Sequence, residues 1–82
     1  MLTLTMPDGT VHAGIQERKR YNRGNLSDTL AAAATVAAER DTTYYVFPTA
    51  LGLRIQTTMP GWLKGYSVSP TGEVRRVGSW AI

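Results

Sequence analysis

Apolar and polar residues alternate at the start of the chain, where Leu2, Leu4 and Met6 are separated by threonines. A period of two predicts a β-strand with one buried face. The sequence Pro-Asp-Gly follows at once, and it is typical of tight turns because proline presets φ and glycine accepts a left-handed conformation. Residues 10–16 then suit a returning strand. The first 16 residues are therefore predicted to form a β-hairpin.

The pattern becomes helical after residue 25. The sequence from Leu26 to Arg40 is rich in alanine, the best helix former, and Asn25 precedes it as a favourable N-cap. Four small or aliphatic residues recur at helical spacing on one side: Leu26, Leu30, Ala33 and Ala37. A side with such small residues is suited to lie close on a sheet.

Four further extended segments follow the helix. Residues 43–47 are β-branched or aromatic, residues 53–57 alternate, and two short strands flank the turn sequence Pro-Thr-Gly. Residues 48–52 are predicted to be a turn. The order ββαββββ predicts an α+β fold, an antiparallel sheet of about five to six strands with one helix packed on one face. The length of 82 residues allows a single domain. Near the end of the chain, Trp80 and Ile82 are expected to pack.

The sequence contains little that could support catalysis. It has no cysteine, which excludes a thiolate nucleophile and a thiolate zinc site. It has one histidine, His12. The carboxylates are not spaced as an acid–base pair, and no phosphate-binding glycine pattern is present. We therefore expect a non-enzymatic protein without a metal or cofactor. No apolar run is long enough to cross a bilayer, so we also expect no membrane contact and a cytoplasmic location.

The net charge is +3, and the basic residues are unevenly distributed. Residues 17–25, called here the basic segment, precede the helix and carry these candidate binding residues: Arg18, Lys19, Arg20, Tyr21 and Arg23. A helix N-terminus favours an anion, arginine binds phosphate or carboxylate in a bidentate manner, and a tyrosine can stack on a base. The alternative is a solvated segment whose charges aid solubility.

Other candidates lie later in the chain. Arg75 and Arg76 form a second, smaller basic cluster, and Arg54 and Lys64 would extend a binding surface if the fold brought them to the same face. Trp62 follows Met-Pro-Gly in a predicted loop and is a candidate binding anchor. Its alternative role is to cover the edge of the core.

The outer side of the helix is also apolar, since Ala31, Ala32, Val36 and Ala38 cannot all face one sheet. An unpartnered apolar side favours a homodimer or a partner-protein interface through the alanine-rich helix. The alternative is that alanine simply raises helix propensity on an exposed side.

The stretch from Tyr44 to Thr57 (YYVFPTALGLRIQT), followed by Pro60, Tyr66 and the Pro-Thr-Gly turn, resembles small proteins carried by phages and other mobile elements of bacteria. Some proteins of this size and build are anti-CRISPR inhibitors. The resemblance implies a protein that binds and blocks a Cas effector, so its partner would be a host effector protein or ribonucleoprotein complex. The basic net charge does not suit a mimic of DNA. The alternative is a small basic nucleic-acid-binding module.

Overall fold

The computed structural model describes residues 1–80, which form one helix and six strands. The elements are β1 (Leu2–Thr5), β2 (Val11–Ile15), α1 (Leu26–Arg40), β3 (Tyr44–Thr49), β4 (Gly52–Gln56), β5 (Lys64–Val68) and β6 (Val74–Gly78). Their order confirms the predicted ββαββββ sequence. Trp80 is half-buried, as expected, whereas Ile82 lies outside the described residues.

The six strands are divided between two antiparallel sheets. β1 and β2 form a two-stranded sheet, and the other four strands form a sheet in the order β4-β3-β5-β6. A parallel bridge between Thr5 and Glu73 joins the sheets, and the Thr5 N–H donates a hydrogen bond to the carbonyl oxygen of Gly72 at 2.9 Å. The predicted α+β class, with a helix packed on an antiparallel sheet, is confirmed.

The core lies between α1 and one face of the four-stranded sheet. On the helix, Ala33 is fully buried, and Leu30 is 2% exposed. The residues that form the core cluster are Leu4, Leu30, Ala33, Ala34, Val46, Val68 and Val74. The alanines let the helix backbone approach the sheet closely, which confirms the predicted small-residued side. Leu26, at the helix start, is 37% exposed.

The ends of α1 are fixed by local chemistry. The Asn25 side chain accepts a hydrogen bond from the Asp28 N–H at 3.1 Å, which confirms the predicted N-cap. At the other end Asp41 takes a left-handed conformation, with φ of 50°, and the Thr42 N–H donates to the carbonyl oxygen of Ala37. Within the described residues the helix is neither long nor apolar enough to cross a bilayer.

The predicted turn at residues 48–52 is correct only for residues 50 and 51. Pro48 lies inside β3, and the connection to β4 consists of the two residues after Thr49. Pro48 pairs with Leu53, whose N–H points away from β3 and donates to the carbonyl oxygen of Arg23 at 2.9 Å. This pair therefore does not use the ladder hydrogen bond that a proline cannot donate, so the strand tolerates Pro48.

Candidate binding surface

The basic segment packs along α1. The Arg18 N–H donates a hydrogen bond to Thr35 Oγ1 at 3.1 Å, and the Arg18 guanidinium lies 3.2 Å from Asp28 Oδ1. Lys19 Nζ is 3.5 Å from Glu39 Oε1. Two of the predicted binding cations are thus paired with carboxylates of the helix, which reduces the positive charge that this segment offers to a ligand.

The rest of the basic segment leads from the helix to the edge of the larger sheet. Tyr21 is half-buried and lines a cleft of about 330 Å³ together with Ala32 and Val36. The carbonyl oxygen of Arg23 accepts the Leu53 hydrogen bond, which attaches the segment to β4. Arg20 and Arg23 remain exposed. They are the two cations of the segment that have no carboxylate at ion-pair distance among the described residues.

This packing changes the interpretation of the alanine-rich helix. Ala31 is 2% exposed and Ala32 is 5% exposed, so most of the outer side is already covered by the chain itself. Val36 is half-buried and Ala38 is exposed. The predicted homodimer depended on a bare apolar side of the helix, and that side is largely absent because the basic segment lies on it.

Arg75 and Arg76 do not form one cluster, because successive residues of a strand point to opposite faces. Arg75 Nε lies 2.6 Å from Glu73 Oε1. Arg76 is opposite Tyr66 in the β5–β6 ladder, on the same face as Val74 and therefore on the face that α1 partly covers. Arg76 is the member of the pair that lies near aromatic rings.

Trp80 brings two cations and two rings together. Its indole N–H donates to the carbonyl oxygen of Gly65 at 2.7 Å, and its ring centroid is 5.3 Å from that of Tyr66 with an interplanar angle of 55°. Arg76 Cζ lies 5.0 Å from the Trp80 centroid, and Lys64 Nζ lies 6.0 Å from it. We call these four residues, together with Trp62, the cationic–aromatic surface.

The two cations of this surface are held by aromatic contacts. Lys64 and Arg76 are both exposed, and within residues 1–80 neither has a carboxylate at ion-pair distance. Their attraction to the face of Trp80 is worth about 0.5–1 kcal/mol at an exposed site. Such a contact restrains a cation without neutralising it, so both charges are available to an anion.

Trp62 presents the most exposed ring of this region, with 76% of the residue accessible. The alternative that it covers the edge of the core is therefore wrong. Its carbonyl oxygen accepts a hydrogen bond from Ser79 Oγ at 2.7 Å, and the Ser79 N–H donates to the carbonyl oxygen of Leu63 at 3.0 Å. These bonds tie the Trp62 backbone to the residue that precedes Trp80, while the indole ring stays open to solvent.

A cleft of about 220 Å³ separates the turn between β1 and β2 from Tyr66 and Arg76. Asp8 and His12 also line it. Hydrogen bonding by Thr10, through its hydroxyl and its backbone N–H, lowers the pKa of the Asp8 carboxyl below its ordinary value. The carboxylate makes this cleft less favourable for an anion, so the attractive part of the surface extends from Arg76 toward Trp80.

The structure therefore divides the predicted binding residues between two places. β4 and β6 are the opposite edges of the larger sheet and are separated by two strands, or roughly 14 Å. The basic segment reaches the β4 edge, where Arg54 lies on the opposite face from Leu53. Near the other edge, the structure places Lys64 and Arg76 beside the Trp80 ring, and a hydrogen bond ties the Trp62 backbone to Ser79, the residue before Trp80.

Two members of the cationic–aromatic surface, Tyr66 and Trp80, were not among the predicted binding residues. Tyr66 could have been found from the hairpin around the Pro-Thr-Gly turn. In that hairpin Val68 pairs with Val74, so the residues two positions further from the turn on each strand, Tyr66 and Arg76, also lie opposite each other. Trp80 lies beyond β6, where no strand pattern fixes the direction of a side chain.

No family model, curated protein or solved structure matches the chain. The assignment of a function therefore rests on the geometry of the cationic–aromatic surface.

Proposed function

We propose that this protein is a non-enzymatic binding protein that holds nucleic acid on the cationic–aromatic surface. The observation that carries the proposal is the position of Lys64 and Arg76 around the ring of Trp80, with neither cation paired to a carboxylate among the described residues. Phosphates are bound by free cations, and bases stack on aromatic rings. This surface offers cations from β5 and β6, and aromatic rings from β5 and from the residues just before β5 and just after β6.

Side chains of this surface are also ordered in the absence of a ligand. The indole of Trp80 is fixed by its hydrogen bond to Gly65, and the contact with that ring restricts the Arg76 side chain. A side chain that is already ordered loses less conformational entropy when it grips a phosphate. The guanidinium can then present two parallel N–H donors to phosphate oxygens.

The non-enzymatic part of the proposal is supported by the way in which the carboxylates are used. Three of them, Asp28, Glu39 and Glu73, pair with arginine or lysine. Asp8 accepts the Thr10 N–H in a turn, and His12 is exposed on β2. Groups that are engaged in caps, turns and surface ion pairs are serving the fold.

Salt dependence of binding tests the proposal. A labelled oligonucleotide would be titrated with the protein, and fluorescence anisotropy would be followed over a range of salt concentrations. Two phosphate contacts, from Lys64 and Arg76, predict that log K falls with log salt with a slope of about −1.4 for a single strand or −1.8 for a duplex. A flat response, or no binding at low salt, would reject the proposal.

A second candidate is the inhibitor of a Cas effector complex in the bacterial cytoplasm. The exposure of Trp62 favours it, because tryptophan and arginine carry much of the energy of protein interfaces. The test is co-purification of the tagged protein with Cas effectors after nuclease treatment, with Trp62→Ala as the comparison. Recovery of a nuclease-resistant complex that W62A loses would support this candidate, and failure to recover any effector would reject it.

A further inference from the structure

We infer that the nucleic acid taken by the cationic–aromatic surface is single-stranded, with one base stacked on the open ring of Trp62. The inference rests on the proposed function and narrows its ligand. Two arguments support it. No element of the fold is suited to enter a groove of a duplex, and the exposed ring of Trp62 is suited to an unpaired base.

Helix α1 is not free to enter a major groove. A groove-binding helix must present an exposed side with polar residues that reach base edges. Here Ala31 and Thr35, on the side away from the sheet, are 2% and 3% exposed, and the basic segment lies against that side through the Arg18–Thr35 hydrogen bond. The helix would have to lose this covering before it could contact DNA.

A two-stranded β-ribbon is the other element that fits a major groove. The β1–β2 hairpin has the required form, and β2 is largely exposed. Residues 1–16, however, contain no lysine or arginine, and Asp8 stands in the turn that would lead into the groove. Without a cation, the ribbon cannot hold the phosphate backbones on either side of that groove.

The open ring suits an unpaired base. In a duplex the faces of each base are covered by its neighbours, whereas bases of a single strand can stack on an indole. The Trp80 ring is already in contact with Tyr66 and Arg76, but Trp62 is 76% exposed. Lys64 is two residues from Trp62, so their Cα atoms are at most about 7 Å apart, and the Lys64 ammonium group can reach a phosphate of the strand whose base stacks on the indole.

The experiment compares three ligands and three proteins. The ligands are an oligothymidylate of about 15 nucleotides, a single strand of mixed sequence and the same length, and the duplex of that mixed sequence. This length is within the range that single-strand-binding folds occupy. The proteins are the wild type, Trp62→Leu and Trp62→Phe. Leucine keeps apolar bulk but removes the aromatic face, whereas phenylalanine keeps a smaller one. Since the residue is so exposed, neither change should affect folding, and thermal melts check this.

We expect single strands to bind more tightly than the duplex, W62L to weaken single-strand binding roughly 5- to 150-fold, and W62F to lie between W62L and the wild type. Equal binding of single strands and duplex, or single-strand binding unchanged in W62L, would overturn the inference and leave the proposed function standing. Absence of binding to all three ligands at low salt would reject the proposed function itself.

Discussion

Arg76 Cζ lies 5.0 Å from the centre of the Trp80 ring, whereas the adjacent Arg75 is bonded to Glu73 on the other face of the sheet. The two arginines therefore form a matched pair for mutation. Arg76→Gln should weaken oligonucleotide binding roughly tenfold, since a hydrogen bond to a charged group contributes about 1.5 kcal/mol. Arg75→Gln should have little effect on binding, because that cation is already neutralised. Equal losses in the two variants, measured by anisotropy at one salt concentration, would contradict the assignment of Arg76.

The Asp8 carboxyl should titrate below its ordinary value of 3.8. Its ionised form accepts hydrogen bonds from Thr10, so this group contributes to stability above pH 3.8, and the contribution is lost as the pH falls through the lowered pKa of the folded state. NMR of the carboxyl carbon measures the midpoint. Thr10→Val should raise the pKa toward 3.8, while Thr10→Ser, which keeps the hydroxyl, should not. A midpoint at or above 3.8 in the wild type would show that these hydrogen bonds do not favour the charged form.

Gly72 and Gly9 both end Pro-x-Gly turns with positive φ, at 84° and 90°. They differ in surroundings, since a Cβ on Gly72 would clash with the carbonyl oxygen of Thr3, whereas nothing lies within 4 Å of one on Gly9. Gly9→Ala should cost about 1–2 kcal/mol of unfolding free energy from backbone strain. Gly72→Ala should cost about 1–3 kcal/mol more, because the contact between the two sheets must shift. Urea denaturation measures both, and a G72A protein no less stable than G9A would refute the close contact.

Thr35 joins the basic segment to the helix, because its hydroxyl accepts the Arg18 N–H and donates to the carbonyl oxygen of Ala31. Thr35→Val leaves the Arg18 N–H without its acceptor, which should cost about 1–3 kcal/mol. The matched control is Thr29→Val, since the Thr29 hydroxyl only donates within the helix end, to the carbonyl oxygen of Asn25. Hydrogen exchange of the Arg18 amide should accelerate in T35V and stay unchanged in T29V. Unchanged exchange in T35V would mean that other contacts hold the segment.

The order of the elements could be predicted because each depends on a local signal. The alternation before Pro-Asp-Gly, the cap at Asn25 and the aromatic run at the start of β3 are all short-range patterns, and the structure has each element where the pattern indicates it. The division into two sheets could not be predicted. It depends on how the β1–β2 hairpin contacts the turn between β5 and β6. There Thr5 forms a bridge with Glu73, a residue that is far from it in the sequence.

The candidate site was predicted only in part, for the same reason. A cluster of basic residues is visible in a sequence, but the carboxylates that neutralise Arg18 and Lys19 lie 10 and 20 residues further along the chain, in the first and last turns of the helix. Trp62 was identified by its loop and is exposed. For Trp80 the sequence predicted only that the side chain packs. Its contact with Arg76 could not be predicted, because the position of the ring is set by a hydrogen bond to Gly65, 15 residues earlier.

The most direct test of the account is an NMR map of where an oligonucleotide binds. Titration of ¹⁵N-labelled protein with a short single strand should shift the indole N–H signals of Trp62 and Trp80 and the amide signals of Lys64 and Arg76 most strongly. The basic segment should shift little, although its Arg20 and Arg23 are unpaired among the described residues. It reaches the β4 edge, opposite the β6 edge near which the cationic–aromatic surface lies, and its Arg18 and Lys19 are paired with carboxylates of the helix. Shifts confined to residues 17–25, with both indole signals unchanged, would contradict the assignment of the cationic–aromatic surface.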